Sequence, residues 1–288
     1  GLRNNGIISF VQKELKRRRL RQWLIIETIR NYGLLGFLRK MIYKILSFLH
    51  NSDIEAILAI GWKTPILLAD AGFNPKKIFP FSYFLQSPKD FKLKKKTQNK
   101  TFRFIFVGSL VAGKKLDLLI KALYILRNYK FELIVIGGGP YQKILKKQAD
   151  YLIPNRTFWK GIIKMSEVSK FISESNCLVL PSKHDGWGAV VSESLIAGVP
   201  AICSHTCGVS EVVKASNFGG VFQSGNIDEL VDKLRAVLEK GPLQENERYR
   251  LISWSKKITS EVGADYLIKI INYINGLSKR PIAPWTKN

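Results

Sequence analysis

Asp185 and Glu193 stand eight positions apart in the stretch that runs from Pro181 to Pro200, with Gly186 and Gly188 between them. Two carboxylates can accept hydrogen bonds from sugar hydroxyls. What surrounds them adds a second chemistry. Leu178-Val179-Leu180 reads as a short buried strand, and Ala189 to Ala197 as a helix stopped by Gly198 and Pro200. A strand, a glycine-containing loop and a helix start aim free backbone N–H groups and the positive helix end at an anion, typically a phosphate. Phosphate-binding amides beside acceptors for hydroxyls point to a nucleotide-sugar site.

The elements that must position this stretch alternate regularly. Phe102 to Val107 reads as a strand ending at Gly108, Leu116 to Asn128 as a helix, and Phe131 to Ile136 as a strand followed by Gly137-Gly138-Gly139-Pro140. Then come a basic helix (Tyr141 to Ala149), a strand (Thr157 to Lys160) ending at Gly161, and a helix (Ser166 to Ser175). Beyond the acid-bearing segment lie a strand from Pro200 to Cys203, a helix from Ser210 to Lys214 and a strand from Gly219 to Phe222. Helices follow from Asp228 to Leu238 and from Glu247 to Ile274. This alternation predicts an α/β fold with a doubly wound parallel sheet, whose ligands bind at the carboxyl ends of the strands. Gly108, Gly137 to Gly139, Gly161 and Ser182 to Gly188 all fall at such ends and are expected to gather along one edge. Gly137 to Gly139 reads equally as a tight turn or as a contact to a base.

The first hundred residues differ. Residues 8–50 read as two helices broken near Asn31-Tyr32-Gly33. The second, Leu34 to Leu49, places Leu35, Phe37, Leu38, Ile42, Ile45, Leu46 and Leu49 largely on one side, with Arg39, Lys40 and Lys44 elsewhere. Such a face packs on a sheet or lies on a membrane. A strand (Ile54 to Ile60), a helix (Thr64 to Ala71) and a strand (Lys77 to Phe84) then form one βαβ unit. The lysine-rich stretch around Pro88 reads as a linker. The expected organisation is a partial N-terminal domain over residues 1–86, a linker over 87–100, a ligand-binding domain over 101–250 and a C-terminal helix and tail over 251–288.

Composition bounds the partners. The chain has 288 residues, 46% of them hydrophobic, so it can bury a sizeable core. It has no apolar run of the ~18–20 residues a membrane helix needs, and its first residues carry no signal-peptide pattern. The formal net charge is +24, with basic runs at residues 12–21 and 92–100. Anionic membrane surfaces and nucleic acid both attract such charge, but no nucleic-acid recognition motif accompanies it, so no specific nucleic acid is expected. A lysine bias of AT-rich coding sequence accounts equally well for its diffuse part. Cys177, Cys203 and Cys207, even with His205 nearby, lack the spacing of a metal site. They read as reduced thiols.

Residues 101–275 resemble the nucleotide-sugar-binding half of a GT-B glycosyltransferase of the family 4 type. Four ordered segments carry the resemblance: Phe106 to Leu110 with Lys114 to Ile120, Ile136 to Pro140, Phe158 to Gly161, and Leu180 to Gly188 running on to Pro200. The family motif has a Glu, seven residues and a second Glu; here the first acid is Asp185 and the second Glu193. The resemblance implies that Asp185 meets the donor sugar's hydroxyls and Glu193 the ribose. It implies that the amides of Gly188, Ala189 and Val190 hold the diphosphate and that Lys114 neutralises the leaving phosphate. Gly161 and Ile162 match the loop beside the base; Gly108, Ser182, Gly186 and Trp187 complete the donor side. Ser109 stands where the family usually has Arg, and Lys115 where it usually has Gly.

The resemblance further implies a retaining hexosyltransferase that needs no metal and no cofactor and uses a UDP- or GDP-sugar as donor. Lysine and a helix start stabilise a leaving diphosphate without a cation, and no Asp-x-Asp pair is evident. The acceptor would be a glycan or lipid-linked glycan of a bacterial surface polysaccharide, met in the cytoplasm or on the inner face of the plasma membrane. The family's N-terminal domain is larger than residues 1–86, which read as its truncated end. A non-catalytic nucleotide-sugar-binding relative is the alternative.

Overall fold

The structure is a computed structural model, and it describes residues 6–28, 33–86 and 101–286. It divides into two compact units, residues 1–83 with 261–288, and residues 84–260. The expected linker at 87–100 lies outside the described residues.

The first unit begins with α1 (Gly6–Arg17), β1 (Gln22–Glu27), α2 (Gly33–His50), β2 (Ile54–Ile60), α3 (Lys63–Asp70) and β3 (Ile78–Phe81). β1, β2 and β3 form a three-stranded parallel sheet in that order. β1 corrects the expectation that the first of the two helices runs on from residue 8 to the break near Asn31, and one expected βαβ unit becomes two. The reason is visible in the strand itself. Gln22, Leu24 and Ile26 are buried while Ile25 and Glu27 face out, a period of two. Leu24 pairs with Ile57 and Ile26 with Ala59. Beside them Tyr43 of α2, Leu68 of α3 and Phe73 complete the core.

α2 meets that core through Tyr43 and Ser47, which are buried, and Leu46. Leu46 therefore lies at the core-facing edge of the stripe to which the sequence assigned it. Phe37, Leu38, Ile42, Ile45 and Leu49 remain exposed. The side chain of Leu35 lies outside the described set.

The second unit holds β4 (Phe102–Val107), α4 (Leu116–Ile125), β5 (Phe131–Ile136), α5 (Gln142–Leu152), β6 (Thr157–Gly161), α6 (Met165–Glu174) and β7 (Cys177–Leu180). α7 (Ala189–Ile196), β8 (Ala201–Ser204), α8 (Ser210–Ser216), β9 (Gly219–Phe222), α9 (Ile227–Lys240) and α10 (Glu245–Ser255) follow. Six parallel strands are ordered β6-β5-β4-β7-β8-β9. The central strands are near-continuous apolar runs because helices cover both faces. Phe104, Phe106, Leu133, Val135 and Val179 fill one core with Leu119, Leu123 and Leu234 from the helices.

The strand order reverses direction at the β4–β7 pair. Chain order moves outward through β5 and β6, then returns to place β7 on the other side of β4. Loops leaving the carboxyl ends of strands diverge at such a switch point and leave a crevice, the usual ligand position of an open α/β sheet.

α11 (Ser260–Ile274) completes the first unit. Its Tyr266 hydroxyl donates to the Pro80 carbonyl at 3.1 Å, and its ring stacks on Phe81. The expected single helix from Glu247 to Ile274 is thus two, separated by a 3-10 turn at Lys256–Ile258. Leu85 donates its amide to Ile258, and Ser260 donates to Leu85, so a long-range bridge breaks the helix where no Gly or Pro marks it.

Candidate functional site

The crevice is built from the two loops that diverge at the switch point. After β4, Gly108 and Ser109 lead to a 3-10 turn, Ala112–Lys114, and Lys115 takes a left-handed φ of 56° before α4 begins. After β7, Pro181 to Gly188 lead to α7. Lys183 donates its amide to the Gly113 carbonyl at 2.8 Å, so the two loops share a backbone hydrogen bond. One residue beyond on one loop and two on the other, Lys114 Nζ meets Asp185 Oδ2 at 2.6 Å. Both side chains are partly buried, which strengthens their attraction relative to a surface pair.

The acid-bearing loop is held from its other side. Gly208 donates to the Asp185 carbonyl at 3.1 Å and Val209 to the Trp187 carbonyl at 2.9 Å. Trp187 is only 2% exposed, and its indole N–H donates to Ser192 Oγ at 3.1 Å, anchoring the loop on the first turn of α7. Gly188 then adopts φ 96°, and a Cβ there would lie 2.9 Å from the Leu180 side chain, so this turn requires glycine. Among the described residues no side chain caps α7. The amides of Ala189 and Val190, in its first turn, have no carbonyl one turn earlier to bind.

Glu193 projects from the next turn of α7. It is half-buried, and among the described residues its carboxylate has no hydrogen-bond or ion-pair partner. Burial pushes its pKa up from the ordinary carboxylate value. A half-buried carboxylate without a partner is costly unless a ligand satisfies it.

The other residues singled out from sequence divide by position. Gly108 and Gly161 are partly exposed at strand ends, Gly186 is partly exposed in the loop after β7 and Lys115 at the start of α4, and Ser109 is exposed. Ile162 is 85% exposed and packs over Gly138, where a Cβ would lie 3.1 Å from it. Ser182 is fully buried; its carbonyl accepts from Ser204 Oγ and Thr206 Oγ1, while its own hydroxyl has no partner among the described residues. Ser182 and Trp187 were expected on the donor side. Their side chains point into the interior, so this loop offers a ligand their backbone alone.

The glycine run after β5 is a place of close backbone approach. Leu110 donates to the Gly138 carbonyl at 2.9 Å, and Tyr141 donates to the Leu110 carbonyl at 3.0 Å. A Cβ on Gly139 would lie 2.6 Å from that same Leu110 oxygen. The run therefore braces the loop after β4 from behind.

Sequence reasoning missed the brace formed by Cys207, Gly208 and Val209. Nothing local marks it, because it exists only once β8 lies beside β7. The three cysteines are buried free thiols. A hydrogen bond with Cys207, and then burial, pushes the Cys203 thiol up, away from thiolate chemistry. Among the described residues no group of three His, Cys, Asp or Glu could hold a metal ion.

Comparison with known proteins bears on the family and the fold. The family described as glycosyl transferases group 1 matches residues 88–271. An uncharacterized glycosyltransferase of Methanocaldococcus jannaschii is 26% identical over 230 residues, covering 74% of this chain and 64% of that protein. The chain thus spans somewhat under two thirds of that relative's length. Among solved structures, Anabaena HepE in complex with UDP superimposes with a TM-score of 0.77 at 14% identity, covering 91% of this chain and 75% of that one. The lipopolysaccharide outer core galactosyltransferase WaaB, in its apo form, gives 0.72 at 16% identity, with 92% and 79% covered. At such identities these two show the fold.

Proposed function

The chain belongs to the glycosyl transferases group 1 family and has the α/β fold of GT-B glycosyltransferases, and from that membership we propose that it moves a hexose from a UDP- or GDP-sugar with retention of configuration. The observation that carries this reading is the meeting of Lys114 and Asp185 at the switch point, beside the uncapped start of α7.

Breaking a sugar–phosphate bond places negative charge on the leaving nucleotide diphosphate and positive charge on the sugar. Lys114 and the amides of Gly188, Ala189 and Val190 would stabilise the former, where the positive end of α7 adds to the lysine charge. That pairing of charges is the ground for proposing a reaction that continues without a divalent cation. Asp185 would accept from a sugar hydroxyl while bonded to Lys114, and so hold sugar and phosphate in one register. The free Glu193 carboxylate would accept from the ribose hydroxyls. Gly161 and Ile162 would border the base. UDP in HepE supports a nucleotide-sugar donor, and a lipopolysaccharide core as the setting of WaaB supports a glycan or lipid-linked acceptor. We place the reaction at the inner face of a bacterial plasma membrane. The net charge of +24 favours an anionic surface, and no described helix is long and apolar enough to cross a bilayer.

Calorimetry with UDP, GDP and their hexose conjugates tests the donor site. Binding of one nucleotide family, weakened by Glu193→Ala, is expected. Absence of all nucleotide binding would overturn the reading. Binding without donor hydrolysis or transfer, whatever the acceptor offered, would leave a binding protein in place of an enzyme. Transfer that stops on adding a chelator would overturn metal independence.

A further inference from the structure

We propose that α2 lies flat on an anionic lipid bilayer, inserting the apolar face that it turns away from its own sheet. The inference deepens the membrane placement above and rests on it for the partner, but its evidence lies in the first unit alone.

Helices on a sheet normally bury their apolar stripe. α2 does the reverse over much of its surface. Tyr43 and Ser47 go to the core, while Leu34 is 77%, Phe37 61%, Ile45 58% and Phe48 89% exposed. At 100° per residue the exposed apolar positions from Leu34 to Leu49 fall in one arc of about 140°. Leu34 and Phe48 are near opposite ends, so the stripe runs the length of an 18-residue helix. An exposed face of this extent marks an interaction surface.

Charge selects the occupant. α2 contains no Asp or Glu, and Lys40 and Lys44 border the arc on one side, both exposed. From Lys13 to Lys44 the sequence has ten Lys or Arg against two Glu, and Lys16 to Arg19 are exposed at the end of α1. A protein packed on the stripe would have to cover both lysines with no acid of α2 to pair them. A bilayer accepts the apolar face below the headgroups while the lysine stems reach up to phosphate. Basic residues near an anionic leaflet add attraction that salt weakens.

The test is flotation of the full chain with phosphatidylglycerol–phosphatidylcholine vesicles against vesicles of phosphatidylcholine alone, with nucleotide binding measured separately without lipid. The anionic vesicles are expected to carry the protein. Phe37→Ser with Phe48→Ser should raise the lipid concentration for half-binding at least about tenfold while leaving nucleotide binding unchanged. Lys40→Gln with Lys44→Gln should weaken flotation less and reduce its salt dependence. A Phe48→Trp variant should gain fluorescence that brominated lipid quenches beyond any quenching of the unsubstituted protein, whose six tryptophans set the background. Equal flotation of the Phe pair and the unsubstituted protein overturns the inference, as does quenching of the variant no greater than that background. A protein that ignores vesicles yet self-associates until the Phe residues are replaced overturns it in favour of a second copy on this face. Loss of nucleotide binding in the unsubstituted protein would instead defeat the donor reading and leave the flotation result standing.

Discussion

Lys114 Nζ lies 2.6 Å from Asp185 Oδ2 across 71 residues of sequence. The pair forms because β4 and β7 are neighbours at the reversal of strand order, and the amide of Lys183 on the carbonyl of Gly113 fixes the register of their loops. Neither carbonyl nor amide can slide without breaking a bond, so the two charges meet at a defined place. That place is next to the free amides at the start of α7.

Lys114→Met should lower donor turnover by roughly a hundred- to a thousandfold, the usual cost of removing one group that stabilises developing charge. Asp185→Asn should cost less, because an amide still accepts one hydrogen bond. In thermal unfolding, a double-mutant cycle on the two should give a coupling of about 1 kcal/mol, as for a partly screened pair. Steady-state kinetics and melting curves on the four proteins check both. No coupling would mean that the loops, and not the charges, set the geometry.

Glu193 should show a conflict between stability and binding. Its folded-state pKa is raised by burial, so the folded state holds the proton more readily than the unfolded one. Its contribution therefore worsens as pH rises through the window between the unfolded and the raised folded value. Above that window the charged carboxylate is a cost. Glu193→Gln should therefore melt at or above the temperature of the unsubstituted protein at neutral pH, with the difference shrinking on acidification. Loss of the charged acceptor should weaken nucleotide binding about tenfold to a hundredfold. Melting between acidic and neutral pH, with calorimetry alongside, checks the pair of effects. A lower melting temperature at neutral pH would contradict the sign.

The second unit was largely legible because its strands are parallel and covered on both faces. Phe104-Ile105-Phe106 and Leu133 to Ile136 are continuous apolar runs, each closed by glycine. β1 was not legible in the same way. Its alternation is short and follows the basic run 16–21, which prolonged the helical pattern. The break between α10 and α11 depends on Leu85, 173 residues before Ile258, and has no local signal. At the site, the types and spacing of Asp185, Glu193 and Lys114 were readable. That Asp185 pairs with Lys114, and that Ser182 and Trp187 turn inward, depends on tertiary packing.

Gly188→Ala should separate backbone geometry from side-chain chemistry. The residue sits at φ 96°, and its new Cβ would lie 2.9 Å from Leu180 and 3.3 Å from Val209. Strain and overpacking together should cost about 1–3 kcal/mol. Any shift of the turn also moves the amides of Ala189 and Val190. Affinity for UDP or GDP should therefore fall by more than affinity for UMP or GMP, since the monophosphate makes fewer contacts to that helix start. Denaturant unfolding and paired titrations check the prediction. An unchanged ratio of the two affinities would remove α7 from the diphosphate site.

Ser109→Arg should strengthen donor binding. The resemblance places an Arg here in the family, and this chain has an exposed serine at the end of β4, five residues before Lys114. Its side chain faces solvent, so a longer one meets no packing cost. A guanidinium offers a phosphate two parallel hydrogen bonds, and Lys114 is already engaged by Asp185, which leaves the leaving diphosphate short of cations. Binding of the nucleoside diphosphate should tighten about three- to tenfold, with a steeper loss at high salt than in the unsubstituted protein. The melting temperature should stay within a degree or so, as for surface substitutions generally. Calorimetry at two salt concentrations decides it. A tightened diphosphate with an unchanged nucleoside locates the gain at the phosphates, whereas no gain would mean that Lys115, at the left-handed turn before α4, already supplies the second charge.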